Sequence, residues 1–476
     1  MVLLALVLIP ALTGLAAVVL GDAPRQLRLL LGAAVTHLTL TAALWSFYPM
    51  ERFGGMLMLD AAGLLFLSIT SLQFLFAAIY SVSYVQREGQ HAGSTLRWFI
   101  PCLLWFLAAM TLVTVSGHLA LLWAATEAST LASAPLVYFY RRRGALEAAW
   151  KYLILCSVGI ALALLGTLLI SVAAPGRPGG LGLNELLAAA PLMSRPWLVA
   201  AFVLALVGYG TKMGLAPLHY WLPDTHSQAP SPVCALLSGA LLNCAFLGIL
   251  RFHQVCLAAG HGDTSRLLML LFGFLSMAVA AIFLFGQQDY KRLLAYSSIE
   301  NMGILAVGTG LGGAAVHGAM LHAVNHSLVK GCLFFLAGNV LAVTGTTDAA
   351  AVRGLLRQVP RTGLLFCVLT LAIGGCPPFG PFMSELMVAR GALFGVHPWL
   401  GALFVFLLAL AFAGLAGTVI PMLQGRPDSA SRPAEPTLTL VSPLCLAGLA
   451  LLLGLYVPTF LSNLLASVSW AMGGGV

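Results

Sequence analysis

The chain has 476 residues, of which 60% are hydrophobic and only 8% charged: 15 acidic and 23 basic, for a formal net charge of +8. A soluble domain carries about 25% charged residues, so the deficit excludes a soluble globular enzyme, a disordered chain and a collagen-like fibre. Most of the surface must face lipid, and at about 20 apolar residues per crossing there is room for a dozen or more spans. Met1 opens on an apolar run with no basic n-region, so residues 2–20 read as a first span rather than a signal peptide. Further spans are expected over 28–48, 60–82, 97–115, 118–139, 150–172, 197–221, 230–250, 267–286, 292–312, 315–342, 361–395, 399–423 and 438–466. The fold class is therefore an all-α polytopic membrane protein of about fourteen helices. Gly214 and Pro217 interrupt span 7, and Gly374-Gly375-Cys376-Pro377-Pro378 interrupts span 12.

Loop charges orient the chain. The loops after spans 1, 3, 5, 9, 11 and 13 hold 14 Lys and Arg: Arg25, Arg28, Arg87, Arg97, Arg141, Arg142, Arg143, Lys291, Arg292, Arg353, Arg357, Arg361, Arg426 and Arg432. The even-numbered loops hold 5: Arg52, Arg177, Arg195, Arg251 and Arg266. That bias puts the odd loops in the cytoplasm and both termini outside. It also explains the net positive charge without a nucleic-acid partner. The nine cysteines are scattered through apolar runs with no C-x-x-C spacing, so neither a disulfide framework nor a cysteine-ligated cluster is expected.

Span 5 reads LLWAATEAST around Glu127, and span 10 reads LLAYSSIENM around Glu300. Spans 7 and 12 are the two broken ones. This order suggests two five-helix units, residues 97–254 and 265–423, flanked by an N-terminal segment 1–96 and a last helix in 424–476. Five is odd, so the second unit would sit inverted, a transporter pattern when joined to broken helices.

A charge at the bilayer centre costs about 2.5–3.5 kcal/mol. Glu127, Lys212, Glu300, Lys330 and Glu385 lie in or beside apolar spans and, facing lipid, would together cost on the order of 10–20 kcal/mol. They must face one another, backbone carbonyls or water. A Glu–Lys pair suits a proton relay, because burial and a nearby carboxylate push a lysine in opposite directions. The alternative is a structural ion pair. His322, His326 and Lys330, spaced i, i+4, i+8, share one face of span 11. They fit a titratable stripe, with hydrogen-bonded core histidines or a metal or haem site as alternatives. His219 follows the break in span 7, where freed carbonyls can solvate protons, water or Na⁺.

The stretch GYGTKMGLAPLHYWLPDTHSQAPSPVCALLSGALLNCAFLGILR (208–251) resembles the proton-translocating, antiporter-like subunits of respiratory complex I. The same family includes multi-subunit cation/proton antiporters and group-4 membrane-bound [NiFe] hydrogenases. DYKRLLAYSSIENMGI (289–304), HAVNHSLVKGCLFFLAGNV (322–340) and GGCPPFGPFMSE (374–385) fit it too, in the right order, and the overall form looks most like the component F type of hydrogenase 4. The resemblance implies a first Glu–Lys pair at Glu127 and Lys212. It places His322, His326 and Lys330 on a central hydrophilic axis, and Glu385 as the terminal group of a second half-channel. Asn243 stands where many members carry a lysine, a departure from the family pattern that removes a carrier between the halves. The chain ends after span 14 without the long lateral helix of the largest complex I member. Redox groups, Fe–S clusters with a NiFe or quinone site, would belong to partner subunits in a hetero-oligomeric complex of a prokaryotic cytoplasmic (inner) membrane. The competing functions are a Na⁺ or K⁺/H⁺ antiporter subunit, a non-transporting scaffold with a vestigial polar axis, and a membrane-embedded enzyme, for which no nucleophile or cofactor motif speaks.

Overall fold

A computed structural model of the chain describes residues 1–88, 96–174, 180–426 and 434–474. Arg177 and Arg432, two of the charges used for orientation, lie outside the described residues. The protein is almost wholly helical. The N-terminal segment holds α1 (Val2–Leu20), α2 (Ala23–Leu44) and α3 (Ala61–Glu88), with a small antiparallel hairpin of β1 (Met50–Arg52) and β2 (Leu57–Leu59) before α3. Then come α4 (Leu96–Thr114), α5 (Leu119–Val137), α6 (Arg143–Ala173), a short α7 (Leu183–Ala189), α8 (Arg195–Met213), α9 (Trp221–Gln228), α10 (Ser231–Leu236) and α11 (Leu242–Ala258). The second stretch holds α12 (Gly262–Leu284), α13 (Tyr290–Leu311), α14 (Ala314–Thr344), a one-turn α15 (Leu355–Gln358), α16 (Pro360–Ile373), α17 (Gly380–Leu393) and α18 (Pro398–Leu423). The chain closes with α19 (Thr437–Leu455) and α20 (Thr459–Ala471).

Among the described residues, eleven helices are long and apolar enough to cross a membrane, counting Ser231–Ala258 as one. The protein is thus a multi-pass membrane protein. The polar α5 and α13, and the broken α16–α17, fall outside that set.

Several boundaries depart from the sequence reading. Span 7 stops at Met213 rather than 221. Gly214 takes φ 83°, and its N–H bonds back to the carbonyls of Gly210 and Thr211, closing α8 with a left-handed residue. Trp221–Gln228 then forms a separate short helix. The single span expected over 438–466 is two helices, because Pro458 cannot continue α19 and instead caps α20. Arg251, assigned to an external loop, lies inside α11 and is buried.

Burial locates the core. The 18-residue apolar window of Ser231–Ala258 is 100% buried, against 28% for that of α1. The α10–α11 helix, α3 and α14 form the interior, while α1, α6, α12 and α18 turn apolar faces outward, as lipid contact requires. In the first half α4 packs on α5, α5 on α6 and α6 on α8; in the second α12 packs on α13, α13 on α14 and α14 on α16 and α17. Asp289 starts α13 by accepting the backbone N–H groups of Lys291 and Arg292 at 2.8 and 2.9 Å, satisfying donors that a helix start leaves free.

Candidate functional site: a buried polar axis

The axis starts at the end of α8. Lys212 is fully buried at the last turn before the break. Its Nζ donates to Thr130 Oγ1 at 2.6 Å and to the Tyr152 hydroxyl at 2.8 Å, and lies 4.8 Å from the centroid of the Tyr152 ring. Tyr152 in turn shares a 2.7 Å hydrogen bond with Ser133. Glu127 is only partly buried and accepts from Ser157 Oγ at 2.6 Å. Hydroxyls on α5 and α6 thus hold both groups, and among the described residues Glu127 and Lys212 form no direct ion pair. Neither Glu127 nor the buried Lys212, Glu300, Lys330 and Glu385 joins an ion pair among the described residues. Sequence spacing could not show this, because Thr130, Ser133, Tyr152 and Ser157 look like ordinary helix residues.

Past the break, the buried ring of His219 stacks on Tyr220, centroids 4.9 Å apart, and leaves Nδ1 without a protein partner. His226 on α9 is fully buried and stacks on Phe334 at 4.6 Å, with both ring nitrogens unpartnered.

Between α10 and α11 the chain makes a π-helical turn, Leu237–Leu241. Such turns widen the helix and release a carbonyl from the i→i−4 pattern, and they recur at functional sites. Here the Gly239 carbonyl accepts from Asn243 Nδ2 at 3.1 Å and from Ser327 Oγ at 2.6 Å. Asn243 also donates to Ser327 Oγ at 2.8 Å. Ser238 and Ser298 share a 2.8 Å hydrogen bond from the π-turn to α13. Asn243 thus joins the first half to α14 through neutral hydrogen bonds.

The second half gathers on α13, α14 and α17. Lys330 Nζ donates to the Leu294 carbonyl at 2.7 Å. His322 Nε2 faces Asn301 Oδ1 at 3.0 Å, while Asn301 Nδ2 donates to the Ser297 carbonyl at 2.6 Å; the histidine is therefore the donor in the first contact. His322 Nδ1 lies 3.0 Å from Ser384 Oγ, which also lies 2.9 Å from the Pro381 carbonyl. A neutral His322 accepts the serine proton. A protonated one donates to Ser384, whose hydroxyl turns to Pro381, so this histidine keeps its partners in both charge states. His326 is fully buried, 6.5 Å from His322 between ring centroids. Glu300 and Glu385 are buried and, among the described residues, receive no protein hydrogen bond. Glu385 lies against Gly375, in the break between α16 and α17. An unpartnered buried polar group costs about 1–3 kcal/mol, so this stretch is built for ordered water.

At the end of the odd-numbered loops the axis opens. Asp224 accepts from Lys151 at 2.9 Å and from Arg292 at 2.7 Å. Together with Glu147, Ser227 and Gln228 they line a polar cavity of about 260 Å³, beside an apolar groove of about 730 Å³ walled by Trp150, Ile154 and Tyr296. Lys291, counted as a loop charge, is buried here and donates to the Ala229 carbonyl at 2.6 Å.

At the opposite end, Arg251 grips Asp60 with two hydrogen bonds of 2.6 and 2.7 Å, tying the start of α3 to α11. Burial alone would raise the Asp60 carboxyl, but the Arg251 guanidinium and the Gly63 N–H outweigh it and hold Asp60 below the usual carboxylate range.

Residues 116–411 match the family described as NADH:quinone oxidoreductase/Mrp antiporter, transmembrane. A hydrogenase-4 component F homolog of Methylacidiphilum infernorum is 35% identical over 411 residues, 85% of this chain and 86% of that one. Hydrogenase-4 component B of Escherichia coli is 31% identical over 351 residues, 71% of this chain but 51% of that one, so the chain spans about half the length of that relative. One chain of the membrane-bound sulfane sulfur reductase, an archaeal respiratory membrane complex, has the same fold, with a TM-score of 0.89 at 22% identity over 99% of this chain and 98% of that one.

Proposed function

The chain belongs to the NADH:quinone oxidoreductase/Mrp antiporter family, and we propose that it is the proton-translocating, antiporter-like membrane subunit of a complex-I-related redox assembly of the group-4 [NiFe] hydrogenase kind. One observation carries the reading. A string of buried ionisable groups runs from α8 to α17 and, among the described residues, no ion pair fixes its charges, in a chain similar over most of its length to a hydrogenase-4 component F homolog.

In this reading Lys212 holds the proton of the first half, with Glu127 as its electrostatic partner across the Ser and Thr hydroxyls. His219 connects the break to the odd-loop side. His322, His326 and Lys330 carry charge along α14, Glu300 answers Lys330, and Glu385 passes the proton out beside the second break. Asn243 hands over between the halves without carrying charge itself. The recurring order of helix neighbours supports two inverted five-helix units, with the odd loops cytoplasmic and both termini outside. Electrons would flow through Fe–S clusters and a NiFe or quinone site of partner subunits in a prokaryotic cytoplasmic membrane. The family's Mrp members support a second reading, a Na⁺/H⁺ antiporter subunit.

The two readings separate in proteoliposomes carrying the whole purified complex. Redox turnover should build a proton gradient in sodium-free buffer, and a protonophore should collapse it. A gradient that forms only when Na⁺ is present would contradict the proton reading and favour the antiporter.

A further inference from the structure

Tyr152 lies on α6 and is fully buried. Its hydroxyl is engaged in both directions. An ammonium only donates, so the phenol oxygen accepts from Lys212 Nζ at 2.8 Å. Ser133 Oγ lies 2.7 Å from the Ser129 carbonyl, so its own proton goes there, and the Tyr152 proton goes to Ser133 Oγ at 2.7 Å. The donors therefore run one way, from Lys212 through Tyr152 and Ser133 to a backbone carbonyl. Together with Thr130 they fix where the ammonium sits.

Trp221 on α9 braces this phenol. It is fully buried, its ring centroid lies 4.9 Å from that of Tyr152, and its Nε1 donates at 2.8 Å to the carbonyl of Thr211, one residue before Lys212. One indole thus touches both the tyrosine that holds the lysine and the helix end that carries it. The same two helices are tied again at the odd-loop mouth. Lys151, next to Tyr152, meets Asp224 at 2.9 Å, and Asp224 stands one turn along α9 from Trp221. Asp224 also meets Arg292 of α13 at 2.7 Å. So α6 and α9 are joined by an ion pair outside and an aromatic pair inside, at neighbouring positions on both helices. A shift of α9 at the mouth moves the ring that braces Tyr152.

We propose that Tyr152 is a positioning residue for Lys212 and that Trp221 couples it to the Asp224 ion-pair cluster, so that the odd-loop mouth and the lysine cage move as one unit. The proposal rests on the proton-path reading above. With the cluster intact, α9 is held against α6, Trp221 keeps the phenol in place, and the ammonium keeps both of its oxygens. When Asp224 loses its partners α9 is released, and Lys212 is left with the Thr130 hydroxyl alone.

The test uses the whole purified complex in proteoliposomes and reads protons moved per electron pair, with assembly checked by the co-purifying chains. Tyr152→Phe keeps the ring on Trp221 and leaves Ser133 its carbonyl, so only the bond to Lys212 is lost. The ratio should fall by about tenfold, the low end for one hydrogen bond to a charged group. Asp224→Asn should lower it by no more than about fivefold, as a partly exposed ion pair allows. It should add nothing in the Tyr152→Phe background, because it acts through the same contact. A spectroscopic readout separates positioning from packing. Infrared difference spectra of redox turnover, taken with ring-deuterated tyrosine, should contain a phenol C–O band that Tyr152→Phe removes. A wild-type ratio in Tyr152→Phe, additive losses in the double variant or the absence of that band would each overturn the proposal. If Lys212→Ala still abolishes transport in those cases, the proton path stands and only the brace falls; if it does not, the proton-path reading falls with it.

Discussion

Lys212 in the first half and Lys330 in the second are both fully buried, yet they are held differently. Lys212 meets two hydroxyls and an aromatic face, and its nearest carboxylate, Glu127, is occupied by Ser157. Lys330 meets one backbone carbonyl of α13, and Glu300 on the same helix is buried and receives no protein hydrogen bond among the described residues. At Lys212 fixed neutral dipoles satisfy the charge, which preorganises one state. The second half leaves titratable groups open, which allows several protonation states at similar cost. A proton path needs both: a site that stores charge reliably and a stretch along which charge can move.

Several changes would break or sharpen that contrast. Short of losing Lys212 itself, the largest effect is expected from Glu385→Gln or Glu300→Gln. Each removes a group able to change charge, and proton transport by the reconstituted complex should fall by about a hundredfold. Transport at the wild-type rate would show that the second half is a scaffold.

Next comes Arg251→Met, outside the axis. It leaves Asp60 without its bidentate partner and should lower the stability of the purified protein by about 2 kcal/mol, less than a fully buried pair because Asp60 keeps some contact with water. The pH dependence has a definite sign. Asp60 is held below its unfolded value, so its contribution is present above the usual carboxylate pKa of about 4 and is lost as pH falls through the folded value. The stability gap between wild type and variant, followed by thermal unfolding in detergent, should narrow on acidification. A constant gap would assign the loss to packing alone.

Thr130→Val should have the smallest effect, about 1.5 kcal/mol for one hydrogen bond to a charged group. The second half offers no matching side-chain acceptor to remove, because Lys330 donates to a backbone carbonyl. If Thr130→Val leaves the unfolding temperature unchanged, the hydroxyl cage is incidental.

Much of this was legible in the residues. The scarcity of charge gave the membrane class, and Gly214 with Pro217, and Gly374 to Pro378, marked both breaks. The spacing of His322, His326 and Lys330 placed them on one helix face. The hydroxyls that hold Glu127 and Lys212 were not legible, because charged residues stand out in an apolar sequence while Thr130, Tyr152 and Ser157 do not. Arg251 was counted as a loop residue because the span was ended at residue 250, and its partner Asp60 is 191 residues away along the chain. The π-turn left no local signal: Leu237–Leu241 reads as ordinary helix.

The central claim is that Lys212 is the proton-holding group of the first half. It is tested most directly by protons moved per electron pair in proteoliposomes of the whole complex, wild type against Lys212→Ala, with assembly checked by the co-purifying chains. The account predicts that the assembled variant moves no protons. An assembled Lys212→Ala complex that pumps with the wild-type ratio would contradict it.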